Sequence, residues 1–449
     1  MKILHYSLGL PPNRSGGLTK YATDLMVAQS TKEVIVTLLY PGDYTFWKKP
    51  KMRIVKDKTY KGITVYEIKN PSLVPLLHGV RKPEDVYASK HKLSGKSINS
   101  FYDEVQPEIM HIHTLMGLPL ELIVFFKEKG VKIVFTTHDY YGLCPKVNFI
   151  NQSGLLCNTP GGVKCSICNE DAPRSLFLYL RNSKYLLKQK ERLSSFSNNQ
   201  PVVEAKFSNL VSPSKEMSEE FDKLLDYYQK LFKLVDIFHF NSSVSKEVYE
   251  NYLIPKQSIV IPISHLGIKD KRKLKTIDKN NISLAFIGSL SSFKGFPILK
   301  EVLCTLNNKV HNWSLDVWGG VLGVDVDCNK INYRGKYSQD MQNVVFDNID
   351  LLIVPSIWKE TFSLITLEAL SYGVPVIVSS NVGAKDIIKN YDKEFIVEPT
   401  FDALYNRLEI VLNNPSLLEN YNKKINSELF DFNFETHIQK IKQLYLSIL

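Results

Sequence analysis

Residues 350–378 read DLLIVPSIWKETFSLITLEALSYGVPVIV, and the order of residue types in this stretch decides the fold. A β-branched run closes on Pro355-Ser356, a helical pattern opens near Ser363 and stops before Gly373, and Pro375 opens a second β-branched run. Glycine just past a last helical turn, with proline one or two residues further on, is the usual C-terminal signal of a helix. The stretch is therefore a strand, helix, strand unit, the repeating piece of a parallel sheet wound with helices.

The same alternation extends in both directions. Downstream of residue 281 the strand candidates are Ile282–Ile287, Ser314–Trp318, Asp350–Val354, Val374–Val378 and Glu394–Val397. Upstream they are Lys2–Ser7, Glu33–Leu39, Ile63–Ile68, Ile109–His113, Lys132–Thr137, Ile237–Asn241 and Ser258–Ile261, with helices such as Leu18–Ser30 and Ala88–Val105 between them. Two α/β units in tandem are implied, each a doubly wound parallel sheet. The polar, aperiodic KDKRKLKTIDKNN at 269–281 reads as the linker between a first domain (1–268) and a second (282–433). Residues 172–233 change to long helical patterns and read as an insertion in the first domain, and 434–449 reads as a last amphipathic helix. In such sheets ligands bind beyond the carboxyl ends of the strands, so the loops that follow strands carry the functional reading.

Composition narrows the classes. The 449 residues are 44% hydrophobic and 23% charged, the usage of a folded chain long enough for more than one core. No apolar run reaches the ~18–20 residues of a membrane-spanning helix, and Met1–Leu10 reads as a first strand rather than a signal peptide, so cytoplasmic residence is expected. The net charge of +10 suits an anionic partner, yet no zinc-finger, basic-zipper or RNA-recognition pattern is present and nucleic acid is not expected.

Three loops after strands could receive a phosphorylated ligand. The first is Pro11-Pro12-Asn13-Arg14-Ser15-Gly16-Gly17 before a helix, which offers free backbone N–H groups, although a glycine pair alone reads more readily as an ordinary turn than as an anion site. The second is Gly288-Ser289-Leu290-Ser291-Ser292-Phe293-Lys294-Gly295, where Lys294 could meet a diphosphate as a compact charge. The third carries Glu360 and Glu368 eight positions apart, about 12 Å if wholly helical. Two carboxylates at that separation suit the diols of a sugar and a ribose, with the backbone near Ile365 and Thr366 taking the diphosphate between them. No dinucleotide fingerprint and no Walker loop occurs.

With these residues in hand, the chain resembles retaining glycosyltransferase family 4, the glycosyl transferases group 1 type. The match lies in EALSYGVPVIVSSNVGAKDII (368–388) after the glutamate pair, in FIGSLSSFKG (286–295), and in ILHYSLGLPPNRSGG (3–17). The resemblance implies a GT-B fold: two Rossmann-like doubly wound domains facing across a cleft, donor on the C-terminal one and acceptor on the N-terminal one, the last helix crossing back. It implies that Glu360 contacts the transferred sugar, Glu368 the ribose hydroxyls and Lys294 the diphosphate. Gly16 and Gly17 would close over the diphosphate, and His138, in IVFTTHD, would approach the sugar; Ser289, Ser363, Leu364, Ile365 and Thr366 complete the donor set. Two departures stand out: Ser289 sits where many relatives carry an arginine, and Ser363 replaces a common glycine.

Family resemblance further implies retention by front-face attack, no catalytic metal (Asp325-Val326-Asp327 matches a metal-binding Asp-x-Asp by letters only), a UDP-, GDP- or dTDP-sugar donor, and a glycan or lipid-linked acceptor. Bacterial surface-polysaccharide assembly is the setting it suggests. A sugar-nucleotide epimerase of the same fold, and a catalytically silent binding partner, are the rival readings. Basic clusters at Lys90-His91-Lys92 with Lys96, and at Arg181, Lys184, Lys188, Lys190 and Arg192, could hold the protein to an anionic membrane surface at the inner face of the plasma membrane. His111 and His113 read as strand-end packing. Finally, Cys144, Cys157, Cys165 and Cys168 crowd into one stretch ending in Cys-x2-Cys, the spacing of a structural zinc site, with an iron–sulfur cluster using the same ligands and free thiols as the plain alternative.

Overall fold

The computed structural model describes residues 1–31, 33–45, 51–87, 92–183 and 215–449. Two compact units emerge. The first comprises Met1–Asn241, Lys246–Ile261 and Ile438–Leu449, and the second Ser242–Ser245 with Pro262–His437.

In the first unit eight strands form one sheet in the order β3-β4-β2-β1-β5-β6-β7-β8. They are β1 Lys2–Tyr6, β2 Ile35–Pro41, β3 Arg53–Tyr60, β4 Ile63–Lys69, β5 Ile109–Ile112, β6 Lys132–Thr137, β7 Ile237–Phe240 and β8 Ser258–Val260. All pairings are parallel except β3 with β4. Every residue of β5 and β7 is buried, as expected for strands covered on both faces.

The second unit holds a seven-stranded sheet, β11-β12-β10-β9-β13-β14-β15. Its strands are β9 Ile282–Ile287, β10 Trp313–Trp318, β11 Leu322–Val324, β12 Ile331–Arg334, β13 Leu351–Val354, β14 Val376–Ser379 and β15 Ile396–Val397. Only β11 runs antiparallel. The chain leaves β9 toward β10 and β12, then returns to β13 on the other side of β9. That reversal puts a crevice at the carboxyl ends of β9 and β13, the place where open α/β sheets bind ligands. The loops flanking it are Gly288–Gly295 and Pro355–Ser363.

Several expectations need correcting. The segment 269–281 is irregular but does not hang between domains. Its Lys271 N–H bonds the Ser371 carbonyl (2.8 Å), and Lys275 Nζ bonds the carbonyls of Phe346 and Ile349 (2.8 and 2.5 Å), so it is strapped to the second unit, whose main body begins at Pro262. Strands β3, β11 and β12 are additions: β3 is an edge strand with no buried residue, and β11 is fully exposed, so neither shows a buried apolar face in the sequence. Of the proposed insertion, helices Ser175–Arg181 and Lys215–Phe232 are observed, while 184–214 lies outside the described residues. The helix expected at Ala88–Val105 is described as Gly95–Val105.

Gly295 locks the two crevice loops together. It adopts φ +76°, and a Cβ there would lie 1.9 Å from the Pro355 carbonyl oxygen, a backbone atom that cannot step aside. Across the same contact the N–H groups of Ile357 and Trp358 both donate to the Phe293 carbonyl (2.9 and 3.2 Å). Gly295→Ala is therefore expected to lower unfolding free energy by at least about 2 kcal/mol in urea denaturation; an unchanged midpoint would contradict this packing.

Candidate functional site

In the second unit the helix after β13 runs only from Leu364 to Leu370. Glu360 is not part of it, contrary to the wholly helical spacing used for the estimate from sequence. The reason is Ser363, whose φ of 97° and ψ of 87° interrupt helical geometry at the N-cap. Glu360 instead lies extended beside the turn after β14, with its N–H on the Asn381 carbonyl and its carbonyl accepting from Gly383 N–H, both 2.9 Å. A left-handed serine is strained where glycine is not, which explains why glycine is the commoner residue at such a place.

The glutamate carboxylate is fully engaged. Its Oε1 pairs with Lys294 Nζ at 2.8 Å, and its Oε2 accepts from Ser356 Oγ at 2.7 Å. The Lys294 ammonium also sits 5.3 Å from the centre of the Trp358 ring, an additional electrostatic hold. The lysine and the glutamate, assigned from sequence to different parts of a donor, thus stand in direct contact with each other. Both side chains keep partial access to solvent, 25% and 12%.

Glu368 is more deeply set. Its Oε1 accepts from His265 Nε2 at 3.0 Å, and its Oε2 accepts from the Tyr337 hydroxyl. Because His265 Nδ1 receives the Gly267 N–H at 3.1 Å, the proton of the neutral ring belongs on Nε2, facing the carboxylate. Burial, then the Glu368 charge, pushes the Tyr337 hydroxyl pKa far up, which keeps it a donor. His265 and Tyr337 escaped the sequence reading since neither lies in a motif; His265 comes from the segment just before the 269–281 strap and Tyr337 from the loop after β12. Ser289 is exposed and its Oγ donates to Ser291 Oγ (2.9 Å), while Thr366 Oγ1 donates to Ser363 Oγ (3.1 Å). Leu364 and Ile365 are half-buried at the helix start. Asp325 and Asp327 are both paired with Lys300 at 2.9 Å.

The remaining candidates belong to the first unit. Gly16 is the N-cap of the helix Gly17–Gln29, with φ 104°, and both glycines are exposed. His138, at the end of β6, closes a chain of buried hydrogen bonds that the sequence did not announce. His239 Nε2 donates to the Ile261 carbonyl (2.8 Å), which can only accept. Held neutral by burial, its Nδ1 then accepts from Thr136 Oγ1 (2.8 Å), and Thr136 accepts from His111 Nε2 (2.6 Å). Tyr445 turns its hydrogen to His111 Nδ1 (2.6 Å) and accepts from Gln29 Nε2 (3.2 Å). Gln29 Oε1 accepts from His5 Nε2 (2.9 Å), His5 Nδ1 from His113 Nε2 (3.0 Å), and His113 Nδ1 from His138 Nε2 (3.3 Å). Every donor points one way along this chain. Tyr445 lies on the last helix, Phe434–Leu446.

His5, His111 and His113 have ligand atoms within 4.8 Å of one another. Their ring nitrogens are all committed to the bonds just named, so they form a proton-ordered network rather than a metal site. The four cysteines of 144–168 are free, and among the described residues no three of their sulfurs meet that 4.8 Å criterion. Burial pushes the Cys144 and Cys165 thiols up to about 12. Of the basic clusters, Lys90, His91, Lys184, Lys188, Lys190 and Arg192 lie outside the described residues.

Residues 267–427 match the family model described as glycosyl transferases group 1. A capsular polysaccharide biosynthesis glycosyltransferase from Staphylococcus aureus is 26% identical over 34% of this chain and 42% of its own length. An Escherichia coli protein named UDP-Gal:alpha-D-GlcNAc-diphosphoundecaprenol alpha-1,3-galactosyltransferase is 30% identical over 25% of this chain and 29% of its own. The chain spans about half or less of the length of the curated relatives it matches. Among solved structures, HepE from Anabaena, in complex with UDP and glucose, aligns over 100% of both chains with a TM-score of 0.55 at 13% identity, a likeness of fold alone. The fold is thereby GT-B, two Rossmann-like domains.

The histidine network carries a pH prediction. Burial lowers His5 and His138 to about 3 and His239 to about 4, and puts His113 well below its usual value. Each depressed pKa contributes stability that is complete above an unfolded value of about 6.5 and is lost as pH falls toward the folded value. Unfolding free energy is expected to drop by at least about 2 kcal/mol between pH 7.5 and 5.5, since each extra proton bound on unfolding contributes about 1.4 kcal/mol per pH unit. A flat profile in urea titrations over that range would contradict the neutral network. Tyr445→Phe, which strands the buried Gln29 amide and His111 Nδ1, should cost about 1–3 kcal/mol at neutral pH in the same assay.

Proposed function

We propose, from the membership of residues 267–427 in the glycosyl transferases group 1 family, that this protein is a nucleotide-sugar-dependent glycosyltransferase acting with retention. The observation that carries the reading is the Lys294–Glu360 pair at the crevice between β9 and β13, with Glu368 anchored in the helix that follows. A donor diphosphate brings negative charge to Lys294, releasing Glu360 to accept hydroxyls of the sugar. Glu368, oriented by His265 and Tyr337, retains lone pairs for ribose hydroxyls.

In the proposed reaction an acceptor hydroxyl attacks the anomeric carbon on the face from which the diphosphate leaves. The new C–O bond forms as the bond to the leaving phosphate oxygen breaks, and that oxygen takes the acceptor proton. Nucleoside diphosphate and the glycoside are the products. The protein's main contribution is stabilisation of charge on the departing diphosphate, a role whose loss elsewhere costs about 3–4 kcal/mol. Ser289 supplies no charge, so on this loop the task falls to Lys294.

The names of the relatives support a UDP-linked donor and a lipid-linked glycan acceptor in polysaccharide assembly. No helix of the described residues is long and apolar enough to cross a membrane. Attachment to anionic lipid through Lys92, Lys96, Arg181 and their neighbours in sequence fits such an acceptor.

The test is a panel of UDP-, GDP- and dTDP-sugars, with nucleoside diphosphate release followed with and without lipid-linked acceptors. Glu360→Gln and Lys294→Ala are each expected to lower turnover at least about tenfold, roughly 1.4 kcal/mol of barrier, with circular dichroism unchanged. Wild-type rates in both variants would overturn the assignment; an epimerised free sugar without acceptor would redirect it to the epimerase reading.

A further inference from the structure

We propose that Cys144, Cys157, Cys165 and Cys168 bind one structural zinc ion, bracing the loop that follows His138. The site does not depend on which donor or acceptor the proposed enzyme uses.

Local structure carries the four cysteines on three neighbouring turns. Cys144 ends a turn whose N–H bonds the Tyr140 carbonyl at 2.9 Å. Cys157 follows the small hairpin bridged by Ile150 and Leu156, its N–H on the Phe149 carbonyl at 2.7 Å. Cys165 and Cys168, three apart on the helix Gly162–Cys168, share one helix face. Cys168 reaches the same hairpin as Cys157, its Sγ 3.9 Å from the Ile150 carbonyl.

Backbone polar groups surround the sulfurs, the Ile150 carbonyl beside Cys168 Sγ among them. Backbone N–H groups of Lys146 and Phe149 point at the Cys144 sulfur, that of Gly161 at Cys165 Sγ (3.0 Å), and that of Gln152 at Cys168. Such donors are the outer-shell bonds that orient metal ligands. Lys146 adds a positive charge beside Cys168.

Binding releases four protons as four thiols become four Zn–S bonds. The ion draws the sulfurs inward until each lies about 2.3 Å from it in a tetrahedron. The half-exposed Cys157 and Cys168 have room to move, while Cys144 and Cys165 are fixed in the interior.

The scaffold is already tied down on the outside. Gly162 N–H is held by Asp222 Oδ1 (2.7 Å), and Asn169 bridges the Cys165 carbonyl (2.8 Å) and the Val80 N–H (2.9 Å). Inward, Tyr140 N–H bonds the Val147 carbonyl (3.1 Å), Tyr141 N–H bonds Asp139 Oδ1 (2.9 Å), and the Tyr249 hydroxyl holds the Asp139 carbonyl (2.8 Å). A metal at the sulfurs thereby stiffens a path of five residues ending at His138.

The experiment is elemental analysis of full-length protein purified without chelator or metal-affinity resin, with cysteine alkylation mapped by mass spectrometry before and after chelation. The proposal expects about one zinc per chain, with Cys144, Cys157, Cys165 and Cys168 protected from alkylation until chelator is added. Cys157→Ser and Cys168→Ser should each lower the zinc content at least severalfold; should either fail to fold, the alkylation map of the wild type decides alone. Less than a tenth of an equivalent with all four thiols alkylated in the native state would overturn the site, as would an iron–sulfur chromophore or a disulfide among the four.

Discussion

The contact between Lys294 and Glu360 is the constraint on which the second unit's crevice depends. Each residue stands on a separate loop, one after β9 and the other after β13, and those strands are neighbours only because the sheet reverses its winding between them. The pair is largely buried, so desolvation offsets much of its attraction and its net contribution to stability is small. In the proposed reaction its importance is that it holds a cation and a carboxylate at the crevice, each neutralising the other until a more highly charged anion arrives. The close fit of Gly295 on Pro355 fixes the spacing of the two loops, and Ser356 and Trp358 hold the carboxylate and the ammonium in place.

The sheets were legible because their strands are short, β-branched and buried, and their helices end on recognisable glycine and proline signals. Lys132–Thr137 and Ile282–Ile287 fall where periodicity puts them. The edge strands were not legible: Arg53–Tyr60 and Leu322–Val324 bury little, so composition carries no trace of them. The strap at 269–281 was misread since its bonds run through backbone and lysine heads to carbonyls, contacts that leave no hydrophobic pattern.

At the candidate site, Glu360, Lys294 and Glu368 could be singled out by order and spacing, but their relations could not. A sequence does not show that a serine sits in a left-handed conformation, so the spacing of the two glutamates could be given only for a wholly helical path. Nor does it show that His265 and Tyr337 converge on Glu368 from loops far apart in the chain. The histidines at 5, 111 and 113 alternate along buried strands, which hides them among core positions. Only the sheet register, pairing His5 with His111, and the last helix with Tyr445 turn them into one ordered hydrogen-bond chain that ends at His138.

The two units thus present different physical devices: an exchangeable ion pair in one, and in the other a neutral buried network whose protons are ordered from a single carbonyl. The central claim is that the ion pair is the receptor for the donor's diphosphate. A crystal structure of the protein with a bound nucleoside diphosphate tests it most directly. The account predicts a phosphate oxygen within hydrogen-bond distance of Lys294 Nζ, the Lys294–Glu360 contact lengthened or broken, and the ribose beside Glu368. A nucleotide bound elsewhere, with Lys294 still closed on Glu360, would contradict it.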